Sequence, residues 1–207
     1  MLKKKSVLAL MTVVLCSVPL KSQAAPSQAE LEKLANDPWA LYLAAQQEFS
    51  EQDFDDAISL LKGAQQNSPS ESFSKMVRLN LLGIYKAAGN ISVDGFPERA
   101  VQYFYEAVRI KPDDPFSFQR MGDAYCELGQ FQACIQSHSR SIELLPNDDK
   151  GHGYWFRGVA YSSYLKDERA ARADYERAIK AHIAEGRPDR AEVKAKLLKA
   201  MQFSQGN

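Results

Sequence analysis

One spacing recurs along the chain and constrains what it can fold into. Ala57 and Pro69, Ala100 and Pro112, and Cys134 and Pro146 are each twelve positions apart, with a small residue (Ala64, Ala107, Ser141) five before the proline. A fourth segment keeps the small pair, Ala171 and Ala178, without a closing proline. A repeat of this kind between Pro38 and about Ala184 points to stacked supersecondary units rather than one closed core. Proline cannot continue a helix and pushes the residue before it out of the helical region, so each one ends a helix on schedule. Small residues two helical turns apart share a face and let a second helix approach closely.

A further pattern stands upstream of each small pair. Phe118-x2-Met121-Gly122-x2-Tyr125 precedes Cys134-x3-His138, and Leu41-x2-Ala44-Ala45-x2-Glu48 precedes Ala57-x3-Leu61. Arg78-x2-Leu81-Leu82-x2-Tyr85 precedes Ala100-x3-Phe104, and Tyr154-x2-Arg157-Gly158-x2-Tyr161 precedes Ala171-x3-Tyr175. These residues resemble the tetratricopeptide repeat, whose unit of about 34 residues is two antiparallel helices. The resemblance implies an all-α fold, an α-α solenoid of about four helix hairpins with a C-terminal capping helix. The repeats would span residues 38–71, 72–114, 115–148 and a degenerate 149–186, followed by a capping helix and tail at 187–207. The second is expected to carry about six extra residues near 90–95 between its helices, and the fourth one extra turn residue. Residues 25–37 read as a linker with a short helix from Gln28 to Ala35.

The first 24 residues read as an export leader. Lys3 to Lys5 form a positive start, Ser6 to Leu20 an apolar stretch, and Ser22-Gln23-Ala24 a small-residue cleavage point. The apolar stretch is shorter than the roughly 20 residues a membrane-spanning helix needs, and nothing later is longer, so no integral membrane segment is expected after cleavage. Leu15 and Val14 before Cys16 do not suit lipid attachment. The expected location is periplasmic or secreted, with cleavage near Ala24. Lys+Arg and Asp+Glu both number 26, and four of the lysines lie in the leader, so the remainder is mildly acidic. It lacks the basic stripe that phosphate binding needs, which excludes nucleic acid as the expected partner.

No constellation suggests catalysis. His138, His152 and His182 lie on separate elements without a nucleophile at a recognisable spacing. Asp53, Asp55 and Asp56 open a helix and complement its dipole without the calcium-loop pattern. Gly122 and Gly158 read as packing glycines. Cys126 and Cys134 flank a hairpin turn and are read either as a disulfide, which an oxidising compartment allows, or as two thiols in small-residue slots. With His138 they make a Cys-x7-Cys-x3-His trio, a wider cysteine pair than zinc sites prefer and one lacking a fourth ligand, so neither metal nor cofactor is expected.

In proteins that this chain resembles, one stripe along the first helix of each repeat lines the concave groove. Here the stripes are Trp39, Tyr42, Gln46 and Phe49; Met76, Leu79, Gly83 and Lys86; Phe116, Gln119 and Asp123; and His152, Trp155, Val159 and Ser162. The expected contact set is Trp39, Tyr42, Gln46, Phe49, Leu79, Lys86, Gln119, Asp123, Trp155 and Ser162. The bland alternative is that Trp39 packs on the N-terminal helix and Trp155 fills space between repeats. The function implied is a non-enzymatic scaffold or assembly factor for a protein or peptide. A chaperone for unfolded clients and a glycan or small-ligand module are the rivals, the last favoured by a buried His–carboxylate pair in the groove. Partner identity and oligomeric state stay open.

Overall fold

The computed structural model describes residue 33, residues 36–146 and 150–184, and residues 186–190, 192, 194 and 195. The expected leader, all but Lys33 of the short helix from Gln28, and most of the capping helix lie outside these residues. The helices, in order, are α1 (Pro38–Ser50), α2 (Phe54–Gln66), α3 (Glu71–Ser92), α4 (Pro97–Ile110), α5 (Pro115–Glu127), α6 (Phe131–Leu144), α7 (Gly151–Ala160) and α8 (Glu168–Ala184). A π turn, Tyr161–Leu165, continues α7. Among the described residues there is no strand, and no helix is long and apolar enough to cross a membrane.

Local chemistry sets the helix ends. Asp37 Oδ1 accepts hydrogen bonds from the backbone N–H groups of Trp39 (2.8 Å) and Ala40 (3.0 Å) at the start of α1. Asp114 Oδ2 accepts from the Ser117 N–H (3.0 Å) and hydroxyl (2.6 Å) at the start of α5. Pro38 and Pro115 follow these caps, where a missing N–H is no loss. Three hairpin turns share one device, a left-handed residue after the first helix: Gln52, Gly129 and Lys166. The next backbone N–H then reaches back to a helical carbonyl, from Asp53 to Glu48 (2.9 Å), Gln130 to Tyr125 (2.9 Å) and Asp167 to Tyr161 (3.0 Å). The last of these skips one residue more than the others. That is the extra residue of the fourth repeat, absorbed as the π turn.

Contacts group the described residues into two compact units, divided within α3 between Ala88 and Gly89. In the first, α1 and α2 pair through Ala44, Ala45, Ala57, Leu60, Leu61 and Ala64, all buried. Phe73, Val77, Leu81 and Ile84 form the buried side of α3. In the second, Val93, Ala100, Phe104, Met121 and Ala124 make one core cluster, and Cys134, Ile135 and Ala160 another.

The second unit repeats one contact three times: a ring from the second helix of a hairpin lies on a glycine of the first. A Cβ on Gly89 would stand 2.8 Å from Phe104, on Gly122 2.8 Å from His138, and on Gly158 2.8 Å from Tyr175. This corrects the expected second repeat. The glycine that faces Phe104 is Gly89, seven positions after Leu82. The expected extra residues near 90–95 do not form a longer loop, because α3 continues to Ser92 and only residues 93–96 separate it from α4. The insertion lengthens a helix to 22 residues.

Candidate partner-binding surfaces

In the first unit the expected residues fall into two adjoining groups. Trp39 is 53% exposed and meets Phe73 edge-on at 4.6 Å, with half-buried Tyr42 beside both at 6.2 and 6.3 Å. Phe73, which the sequence pattern did not single out, is the buried member of this aromatic trio. Further along, Gln46 and Phe49 of α1 and Leu79, Asn80, Gly83 and Ile84 of α3 line an open depression of about 220 Å³. The Gln46 amide donates to Asn80 Oδ1 (3.2 Å), and Asn80 in turn donates to the Met76 carbonyl (3.0 Å). Leu79 is 59% exposed and Phe49 37%. Nothing lies within 4 Å of where a Gly83 Cβ would be, so the floor of the depression is open backbone. Lys86 is part-buried further along α3.

In the second unit the expected stripe is mostly occupied by its own neighbours. Asp123 is buried and receives the Arg120 guanidinium at 2.8 Å, while His152 Nε2 lies 3.1 Å from its Oδ1. Arg120 Nε also donates to Asn90 Oδ1 (2.8 Å). Gln119 is part-buried. Trp155 packs on Tyr175 of α8 at 4.8 Å, with Lys194 Nζ 4.7 Å from its ring centre. Ser162 Oγ pairs with the Tyr175 hydroxyl at 2.9 Å. Trp155, which is part-buried, and Ser162 of the π turn thus join this segment to α8, as space-filling residues would.

Two polar side chains take slots of the repeat pattern that other copies fill with apolar or aromatic residues. Arg157 stands where the repeat pattern has an apolar residue, and its guanidinium grips buried Asp174 through Nε (2.6 Å) and Nη2 (2.9 Å) while Nη1 reaches Ser139 (2.9 Å). One arginine so ties α6, α7 and α8 together. His138 takes a ring slot on Gly122 and is fully buried, and neither ring nitrogen has a hydrogen-bond partner. Burial pushes its pKa down to about 4, although the Asp123 carboxylate at 3.6 Å pulls the other way. It is neutral at neutral pH.

Cys126 and Cys134 are joined as a disulfide across the α5/α6 turn, with Cα atoms 5.2 Å apart. One ligand atom each from Cys126, Cys134 and His138 lies within 4.8 Å of the others, and the same holds for Glu48, Asp53 and Asp56. The sequence trio is therefore a spatial trio as well.

Helix hairpins of this length, closed by small residues and glycine–ring contacts, define the class: an all-α tetratricopeptide-type solenoid. Solved structures agree. The chain is similar to MamA (19% identity, covering 78% of this chain and 95% of that one, TM-score 0.50). It is also similar to the Arabidopsis OM64 TPR domain (22%, 60% and 98%, TM-score 0.50). A third is YrrB, described as a TPR protein with an unusual peptide-binding site (17%, 79% and 77%, TM-score 0.52). No family model matches the sequence, and no curated protein matches it. The chain has the tetratricopeptide-repeat fold.

Proposed function

We propose that this chain is an exported, periplasmic scaffold or assembly factor that holds a protein or peptide partner and catalyses no reaction. The observation that carries the reading is the depression between α1 and α3. Phe49 and Leu79 expose apolar surface there, beside an open glycine backbone and the Gln46–Asn80 amide pair. Exposed apolar groups grouped around a concave surface mark binding sites on proteins, and amides at the rim can read a peptide backbone. A peptide-binding site is also what YrrB is described as having. A photo-crosslinking residue at position 79 identifies the partner, and loss of its binding on removing the Phe49 and Leu79 side chains tests the site.

One observation favours a second reading, a module for a small polar ligand or glycan. Asn90, Arg120, Asp123 and His152 converge on α3, α5 and α7, and Asp123 is a buried carboxylate with a histidine on it. Arg120 and His152 satisfy that carboxylate within the fold, which suits a structural network as well as a site. The export leader supports the periplasmic location; intact mass of the protein from cells tests it, and retention of residues 1–24 contradicts it.

A further inference from the structure

We infer that, in its reduced state, the α5/α6 hairpin binds a zinc ion through Cys126, Cys134 and His138. Cys134 and His138 are one turn apart on α6, so they share a face, and Cys126 comes from α5 across the turn. The cysteines are far apart in sequence for a zinc pair, but the hairpin brings their Cα atoms to 5.2 Å. One donor atom of each of the three residues lies within 4.8 Å of the other two.

His138 supplies the independent observation. Both its ring nitrogens are buried without a hydrogen bond, and the nearest carboxylate stands off at 3.6 Å. Buried polar atoms are almost always paired, because an unpaired one forfeits its bonds to water. Packing does not require them here: Phe104 and Tyr175 fill the matching slots on Gly89 and Gly158. An imidazole whose lone pair has no other use, beside two sulfurs, is a ligand set suited to zinc. Asp123 stands where a carboxylate orients a ligating imidazole.

Formation of the site balances in two steps. A dithiol reductant attacks the disulfide and leaves as the new disulfide, passing two electrons and two protons to Cys126 and Cys134. Zinc then displaces those two protons, forming bonds to both thiolates and to the imidazole, with water in the fourth position. Cys126 is only part-buried, which gives reductant and ion a side of approach. Bridge and ion exclude one another, so the hairpin is closed by a covalent bond in oxidising surroundings and by metal in reducing ones.

The test uses the full chain with Cys16→Ser, reduced and desalted without oxygen, titrated with zinc by calorimetry and with cobalt(II) by absorbance. One ion per chain and a thiolate-to-cobalt charge-transfer band are expected, with no uptake by the oxidised protein. His138→Phe separates ligation from packing, because Phe104 shows that the slot takes a phenyl ring. It should keep the helical circular dichroism and bind at least tenfold more weakly. Cys126→Ser, at the part-exposed position, should abolish the cobalt band. No zinc uptake by the reduced protein, an unchanged affinity in His138→Phe, or a persisting band in Cys126→Ser would each overturn the site.

Discussion

Gly89 lies beneath the phenyl ring of Phe104 so closely that a Cβ on it would stand 2.8 Å from Cζ. Gly83, six residues earlier on the same helix, has nothing within 4 Å of that position. Gly89→Ala must therefore displace a fully buried ring and should destabilise the protein by about 1 to 3 kcal/mol. Gly83→Ala should stabilise it by about 0.5 to 1 kcal/mol through helix propensity. Urea midpoints of the two variants check this, and the reverse order would contradict the register of the second repeat.

That register shows how far the sequence could be read. The repeat itself was legible because small residues and prolines act locally, through close approach and helix termination. Leu82 and Gly89 differ by seven residues, two turns that return to nearly the same helix face, so apolar periodicity accepts either. Only the ring across the hairpin, Phe104, selects Gly89. The surface was less legible. Trp39, Tyr42, Gln46 and Phe49 of α1 stand out by their stripe, but Phe73 and Asn80 complete their surroundings from α3. Asp123 is claimed by His152, 29 residues away, a pairing that packing alone decides.

The hairpin turns carry a measurable strain. Lys166 holds φ 55° at the end of the π turn, where glycine is at ease and other residues lose about 1 kcal/mol. Lys166→Gly should raise stability by about 0.5 kcal/mol, offset in part by unfolded-chain entropy. Gly129→Ala, at φ 69°, should lower it by about 1 kcal/mol. Thermal denaturation reads both, and equal effects of the same sign would contradict the shared turn geometry.

His138 makes stability depend on pH. Its native pKa of about 4 lies below the unfolded value of 6.5, so as pH falls through 6.5 the unfolded chain takes up the proton first. Stability is complete above that value and declines until the native ring protonates near 4, by about 3 kcal/mol in all. Denaturation of the wild type and of His138→Phe between neutral pH and the native pKa separates this group from the rest. The variant should lose less stability on acidification, and parallel curves would contradict the buried neutral histidine.

The disulfide closes a short loop and should add about 2 to 3 kcal/mol by chain entropy. Labelling of free thiols in unfolded, unreduced mature chain should find none. Two reactive thiols per chain would show that the bridge is not made in the cell.

The central claim, that the α1/α3 depression holds a protein or peptide, has a direct measurement. The partner trapped in living cells by a photo-crosslinker at position 79 is purified, and its affinity for wild type and for Phe49→Ala/Leu79→Ala is measured. Both side chains are exposed, so the double variant should keep its helical circular dichroism and melting temperature. Central apolar contacts are often worth about 2 kcal/mol, so binding at least tenfold weaker is the predicted result. A folded double variant that binds the partner as tightly as wild type would contradict the account.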